Sequence, residues 1–188
     1  MGEATFYLIA FFDSKELAEE ISKYARYILK DLAKFHDDWH EIRHRYDIPV
    51  HERHRMLLER HPLVAKFIEL PEPPSDDDVN MNYLAGKCEM HDDFKLSVKL
   101  NCITLSCYVW HLADWNNIKD LFYKLGAKSV TWWSDEYVDH VDAWYLGYST
   151  GMEKDSLKDE PPKYNVDIDK VREEITPYMI AEELNGDA

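Results

Sequence analysis

One stretch of the chain combines residue types and spacing that suit catalysis: His40-Glu41-Ile42-Arg43-His44. Two histidines four residues apart on a helix put their imidazoles one turn apart on the same side, which suits a zinc ion. A glutamate between them can take a proton from zinc-bound water and make it a nucleophile. In that reading His40 and His44 are ligands, Glu41 is the base, and His36, one turn earlier, supplies a third imidazole. The product would be a zinc-dependent hydrolase. The neighbouring charges oppose it, because Arg43 and Arg45 would repel a dication. Helix phase opposes it too, since Phe35, Trp39, Ile42 and Tyr46 form the buried stripe and the three histidines lie along its border.

The five residues match the zinc-binding motif of the zincin metalloproteases in spacing, and the match stops there. The longer metzincin pattern requires glycine three residues after the second histidine and a histidine three residues later. Asp47 and Val50 stand at those positions, and His51 misses by one residue. Two His-Asp-Asp triplets, His36-Asp37-Asp38 and His91-Asp92-Asp93, would serve a metal-dependent phosphohydrolase only if the fold brought them together. Phosphate-cradling glycine loops and a serine nucleophile elbow are absent from the sequence.

A second constellation suggests binding rather than catalysis. Trp132, Trp133, Asp135, Glu136, Tyr137, Asp139, Asp142 and Trp144 interleave aromatic rings with carboxylates. Rings give large contact area at low entropic cost, and the carboxylates favour arginine or lysine from a partner. By strand alternation about half of these side chains must face inward.

Charge bounds the choice of partner. Against 22 lysines and arginines stand 37 aspartates and glutamates, a formal charge of -15. Such a surface repels nucleic acid and anionic membrane and attracts basic surfaces or cations. Residues 43–66 are the exception, with six basic residues against three acidic ones for a local +3. Cys88, Cys102 and Cys107 form no CxxC spacing, which fits a reducing compartment. The apolar run Phe6 to Phe12 is too short for a signal core or a membrane span, so a cytoplasmic location is expected.

These residues need elements to position them. Thr5 to Phe12 reads as a strand from a sheet's buried centre. From Ser14 to Tyr46, apolar residues recur in steps of three and four from Leu17 onward, which predicts one long helix of about 50 Å. Asp47-Ile48-Pro49 should end it. Helices are expected at 50–60 and 62–70, with Pro62 in a first turn. A stiff linker follows at 71–78. The period then changes to two over Phe94–Leu100 and, in the opposite phase, over Ile103–Val109. That phase change predicts a tight hairpin at Asn101-Cys102. A helix from Asp114 to Gly126, a strand at 129–133 and another at 143–148 complete the series. Past Gly151 an acidic extension carries short helices interrupted at Thr176-Pro177.

An α+β fold follows, an antiparallel sheet with helices on one face. Its order, β-α-β-β-α-β with a helical insertion at 34–70, resembles the ferredoxin-like layout. The resemblance covers element order alone and implies no activity. The expected division is a single α+β domain over 1–150 and an extension over 151–188. The function expected from charge and aromatic content is a non-enzymatic acidic binding protein without a cofactor. It would engage a basic surface of another macromolecule, such as a nucleic-acid-binding protein, as a nucleic-acid mimic or inhibitor.

Overall fold

The computed structural model describes residues 3–73, 81–110, 113–134, 164 and 166–186, with the backbone alone for Glu3, Trp133 and residues 182–186. The expected strand at 143–148 and most of the linker lie outside the described residues. Four strands, β1 (Glu3–Phe11), β2 (Lys95–Lys99), β3 (Cys102–Trp110) and β4 (Ser129–Ser134), form one sheet in the order β2-β3-β1-β4. Every neighbouring pair is antiparallel. The helices are α1 (Lys15–Ile42), α2 (Val50–Arg60), α3 (Pro62–Phe67), α4 (Asn116–Lys124) and α5 (Ile168–Gly186), with a turn of 3-10 helix at Met81–Leu84. The fold is α+β. Among the described residues no helix is long and apolar enough to cross a membrane.

Alternation decides which face of the sheet the helices cover. Ala4, Phe6, Leu8 and Ala10 are buried and pair with buried Val109, Cys107, Leu105 and Ile103. Leu96 and Val130 join the same layer. α1 packs on β2 and β3, and α4 on β4. The residues between, Tyr7, Ile9 and Phe11 on β1 with Tyr108 and Trp110 on β3, belong to the opposite face, and the last three aromatics of these are exposed. β1 was expected to be buried on both sides. It is central in the sheet, yet only alternate residues are enclosed.

The helical insertion packs on the second half of α1. Ser14 caps the start of α1, its Oγ accepting from Leu17 N–H at 3.1 Å. Phe35, Trp39 and Ile42 are buried, as are Leu57 of α2 and Leu63, Val64 and Phe67 of α3. The Asp31 carboxylate accepts the Leu63 and Val64 N–H groups at 3.0 and 3.1 Å, so α1 caps α3. α1 ends at Ile42, four residues before the expected Tyr46. The buried Arg53 reaches back from α2 and donates to the Arg43 carbonyl at 2.7 Å, satisfying an acceptor that another helical turn would have used.

The hairpin stands where the phase change placed it. Lys99 pairs with Cys102, leaving Leu100 and Asn101 as the two-residue loop. Asn101 is held by Phe12, which accepts from its Nδ2 at 2.7 Å and donates N–H to its carbonyl at 2.9 Å. Leu100 pays for the turn with φ 56°, in the left-handed region, while its side chain is 71% exposed. A branched side chain there costs about 1–2 kcal/mol. Leu100→Gly relieves that cost and adds about 0.5–1 kcal/mol of unfolded-chain entropy loss. The expected result is a net gain of at most about 1.5 kcal/mol in urea unfolding, and a loss would show that the Leu100 side chain contributes contacts.

Gly126, at φ 96°, closes α4 and lets the Ala127 N–H return to the Phe122 carbonyl at 2.9 Å. Beyond it, α5 is one helix with Pro177 inside, where two short helices were expected. Val171 and Ile175 are buried in the main core, and Arg172 pairs with Glu20 at 2.7 Å. This docking outweighs the lost proline N–H.

Candidate functional site

The centre of the candidate site is Trp39, buried near the end of α1, whose Nε1 donates to the Met81 carbonyl at 3.1 Å. That bond fixes the rotation of α1 and therefore the direction of the residues one position and one turn away. His36 is buried, stacked near Trp39 at 5.8 Å between ring centroids. His40 meets His36 edge to face at 4.7 Å. The third ring comes from outside the helix: His91, in the segment before β2, lies 5.4 Å from His36. Its backbone N–H donates to Cys107 Sγ at 3.4 Å, which anchors the segment to β3.

Burial dominates the electrostatics of this cluster. It holds the His36 imidazole down to about 3, helped by His40, His91 and Arg43. His40 is lowered as well, again by burial first and then by Arg43, with Asp37 acting in the opposite sense. Both rings are therefore neutral at pH 7. The Cys107 thiol is pushed up to about 11 by burial, and Cys88 is raised further by the same cause. Neither is a thiolate nucleophile at neutral pH.

Other residues of the helix motif are placed differently. His44 lies in the turn beyond Ile42, where Arg43 Nε donates to its Nε2 at 3.1 Å and Tyr46 Oη stands 3.3 Å from its Nδ1. Arg43 also covers the Trp39 ring at 4.8 Å. Glu41 lines a cleft of about 290 Å³ toward α2 with Asp38, Arg45, Met56 and Arg60. Among the described residues, no group of three or more histidines, cysteines or carboxylates could hold a metal ion.

The two His-Asp-Asp triplets do come together, but through their histidines alone. Asp38 turns to His61 at 3.2 Å and Arg60 at 3.3 Å, while Asp37, Asp92 and Asp93 are exposed. Nothing in their sequence separation gave the pairing of His36 with His91. The repeated triplet was the available signal.

Of the aromatic and acidic constellation, Trp132 lies on the covered face, stacked on Phe6 at 5.4 Å, with Nε1 donating to Asn116 Oδ1 at 3.3 Å. Trp133 pairs with Tyr7 in the β1–β4 register. Asp135, Glu136, Tyr137, Asp139, Asp142 and Trp144 lie outside the described residues. The exposed aromatics that sequence reasoning missed are Phe11 (43%), Tyr108 (51%) and Trp110 (40%) on the face opposite the helices. Strict alternation along β1 and β3 would have found them. Comparison with protein-family models, with curated proteins and with solved structures finds no match for this chain.

Proposed function

We propose that this is a non-enzymatic acidic binding protein that engages a basic surface of another macromolecule, acting as a nucleic-acid mimic or inhibitor. The observation that carries the reading is the exposure of Phe11, Tyr108 and Trp110 on the sheet face opposite the helices, on a chain of charge -15. Aromatic rings fixed on strands make rigid anchors, and their faces attract guanidinium and ammonium groups. The charge adds steering toward cations and repels nucleic acid itself.

The distribution of charge narrows the footprint. Lys95 and Lys99 alternate with the buried Leu96 and lie on the face opposite the helices at the β2 edge. A basic partner therefore sits over β3, β1 and β4. At the far edge β4 ends at Ser134, directly before Asp135 and Glu136 in the chain. The zinc-hydrolase reading gains little, because Glu41 lines the cleft toward α2 with Arg45 and Arg60.

An oligo-arginine peptide is the probe. Its binding should weaken steeply from low to physiological ionic strength, since attraction between exposed charges is screened. Trp110→Ala should weaken it by about tenfold, the size expected of an aromatic anchor. Binding that ignores salt, or that Trp110→Ala leaves intact, would sink the proposal.

A further inference from the structure

A cleft of about 500 Å³ opens on the helical side of the sheet, where α1, α3 and α5 meet. Part of its lining is apolar and aromatic: Leu63 is buried, and Tyr27, Pro62 and Tyr178 are half-buried beside it. The exposed part carries Lys30, Lys34 and Arg60, a concentration of positive charge on a chain of -15. Small-molecule sites are built this way, with an apolar wall for the body of the ligand and a few polar groups that fix one end.

The fold leaves cationic donors available at this point. Lys30 has no carboxylate partner among the described residues, and its Nζ stands 5.9 Å from the Tyr27 ring centroid, near the outer limit of a cation–π contact. Lys34 follows one helical turn later, and like charges at that spacing repel. Arg60 Nη1 lies 3.3 Å from Asp38 in a part-exposed pair, which engages one end of a guanidinium that has five donors. Asp31 is the one carboxylate among the lining residues, and its charge is already met. Its Oδ1 faces His61, and its Oδ2 accepts the Leu63 and Val64 N–H groups. An anion between the three cations would relieve the repulsion of the lysines and take up the other donors of Arg60.

We propose that this cleft binds a small aromatic phosphomonoester, the chemistry of a nucleoside monophosphate. The phosphate sits between Lys30, Lys34 and Arg60, and the ring lies against Pro62, Leu63 and Tyr178. A phosphomonoester carries a charge of about -1.5 to -2 at pH 7, which suits several cations together. The arginine fork takes two of its oxygens at once, and the lysines act as point charges. The wall takes the ring, with Tyr178 as its aromatic neighbour. Bare phosphate leaves that wall wet, and an uncharged nucleoside leaves the cations unanswered. A nucleic-acid strand is disfavoured because its further phosphates meet the acidic surface beyond the cleft. The site lies on the opposite side of the sheet from Tyr108 and Trp110, so it stands or falls independently of the binding face proposed above.

Titration calorimetry of the full-length protein with adenosine monophosphate, at one moderate salt concentration, is the test. One equivalent should bind saturably, and adenosine and inorganic phosphate should each bind about tenfold more weakly or less. Lys30→Ala and Arg60→Ala should each weaken the nucleotide by about tenfold, the size expected for loss of a hydrogen bond to a charged group. Lys95→Ala and Trp110→Ala, on the other side of the sheet, should leave it unchanged. Both cleft substitutions fall at exposed positions, so the fold survives them. Absence of saturable binding overturns the proposal. So does inorganic phosphate bound as tightly as the nucleotide, or binding indifferent to both cleft substitutions.

Discussion

Trp115→Ala is expected to destabilise the protein by about 3–5 kcal/mol, the cost of emptying a large aromatic site. Among the described residues Trp115 is the largest fully buried side chain, at 0% exposure, and sits where the chain enters α4. Its ring lies 5.4 Å from Phe6, and Phe6 in turn stacks on Trp132, so one indole joins β1, β4 and α4. Its carbonyl also accepts the Lys119 N–H at 2.8 Å and starts the helix. The indole Nε1 is buried with no hydrogen-bond partner. Trp115→Phe removes that orphan donor while keeping most of the ring, so it should cost well under half as much as the alanine change. Urea unfolding of both variants checks the pair. An alanine variant within about 1 kcal/mol of the parent would mean that this end of the core closes over the gap.

The parts of this fold that were legible from sequence are those fixed by local chemistry. Alternation over Leu96 to Val109 located the hairpin to within a residue, because a register slip would have turned Lys95 and Lys99 inward. Pro62 sets the start of α3 by placing its missing N–H where none is needed. What was not legible depends on partners distant in the chain. Nothing near Ile42 says that Arg53 will take the Arg43 carbonyl. Nothing near Pro177 says that Val171 and Ile175 will dock firmly enough to carry a helix through it. The candidate sites divide in the same way. His36 and His40 follow from helical spacing, whereas His91 joins them only because Cys107 anchors its backbone to β3. Along β1 the continuous apolar run conceals which residues are exposed, since Phe6 and Phe11 look alike in sequence and lie on opposite faces.

Asp31→Ala is expected to be comparably costly, about 3–5 kcal/mol, because it breaks a largely buried ion pair from one side. Asp31 Oδ1 lies 3.0 Å from His61 Nδ1, and its Oδ2 takes the first N–H groups of α3. His61 is 5% exposed and its Nε2 lies 3.2 Å from Asp38, so both ring nitrogens face carboxylates. Ionised carboxylates only accept, so this arrangement is complete when both nitrogens carry protons. Burial pulls the His61 pKa down, but the hydrogen bonds and charges of Asp31 and then Asp38 outweigh it, and the net shift is upward. Since the folded pKa lies above the unfolded value, the stabilisation is fully present below about pH 6.5 and is lost as pH rises through the folded pKa. His36, His40 and His54 are shifted downward, so their effects fall below about pH 6.5. The raised Cys88, Cys102 and Cys107 thiols act alike in the parent and in a His61 variant, so the difference between the two isolates His61. The stability difference between the parent and His61→Gln should therefore shrink as pH is raised from about 6 to about 9. Denaturant unfolding across that range reads it directly. A difference that stays constant would mean that His61 is neutral in the fold and that Asp31 acts only as the cap of α3.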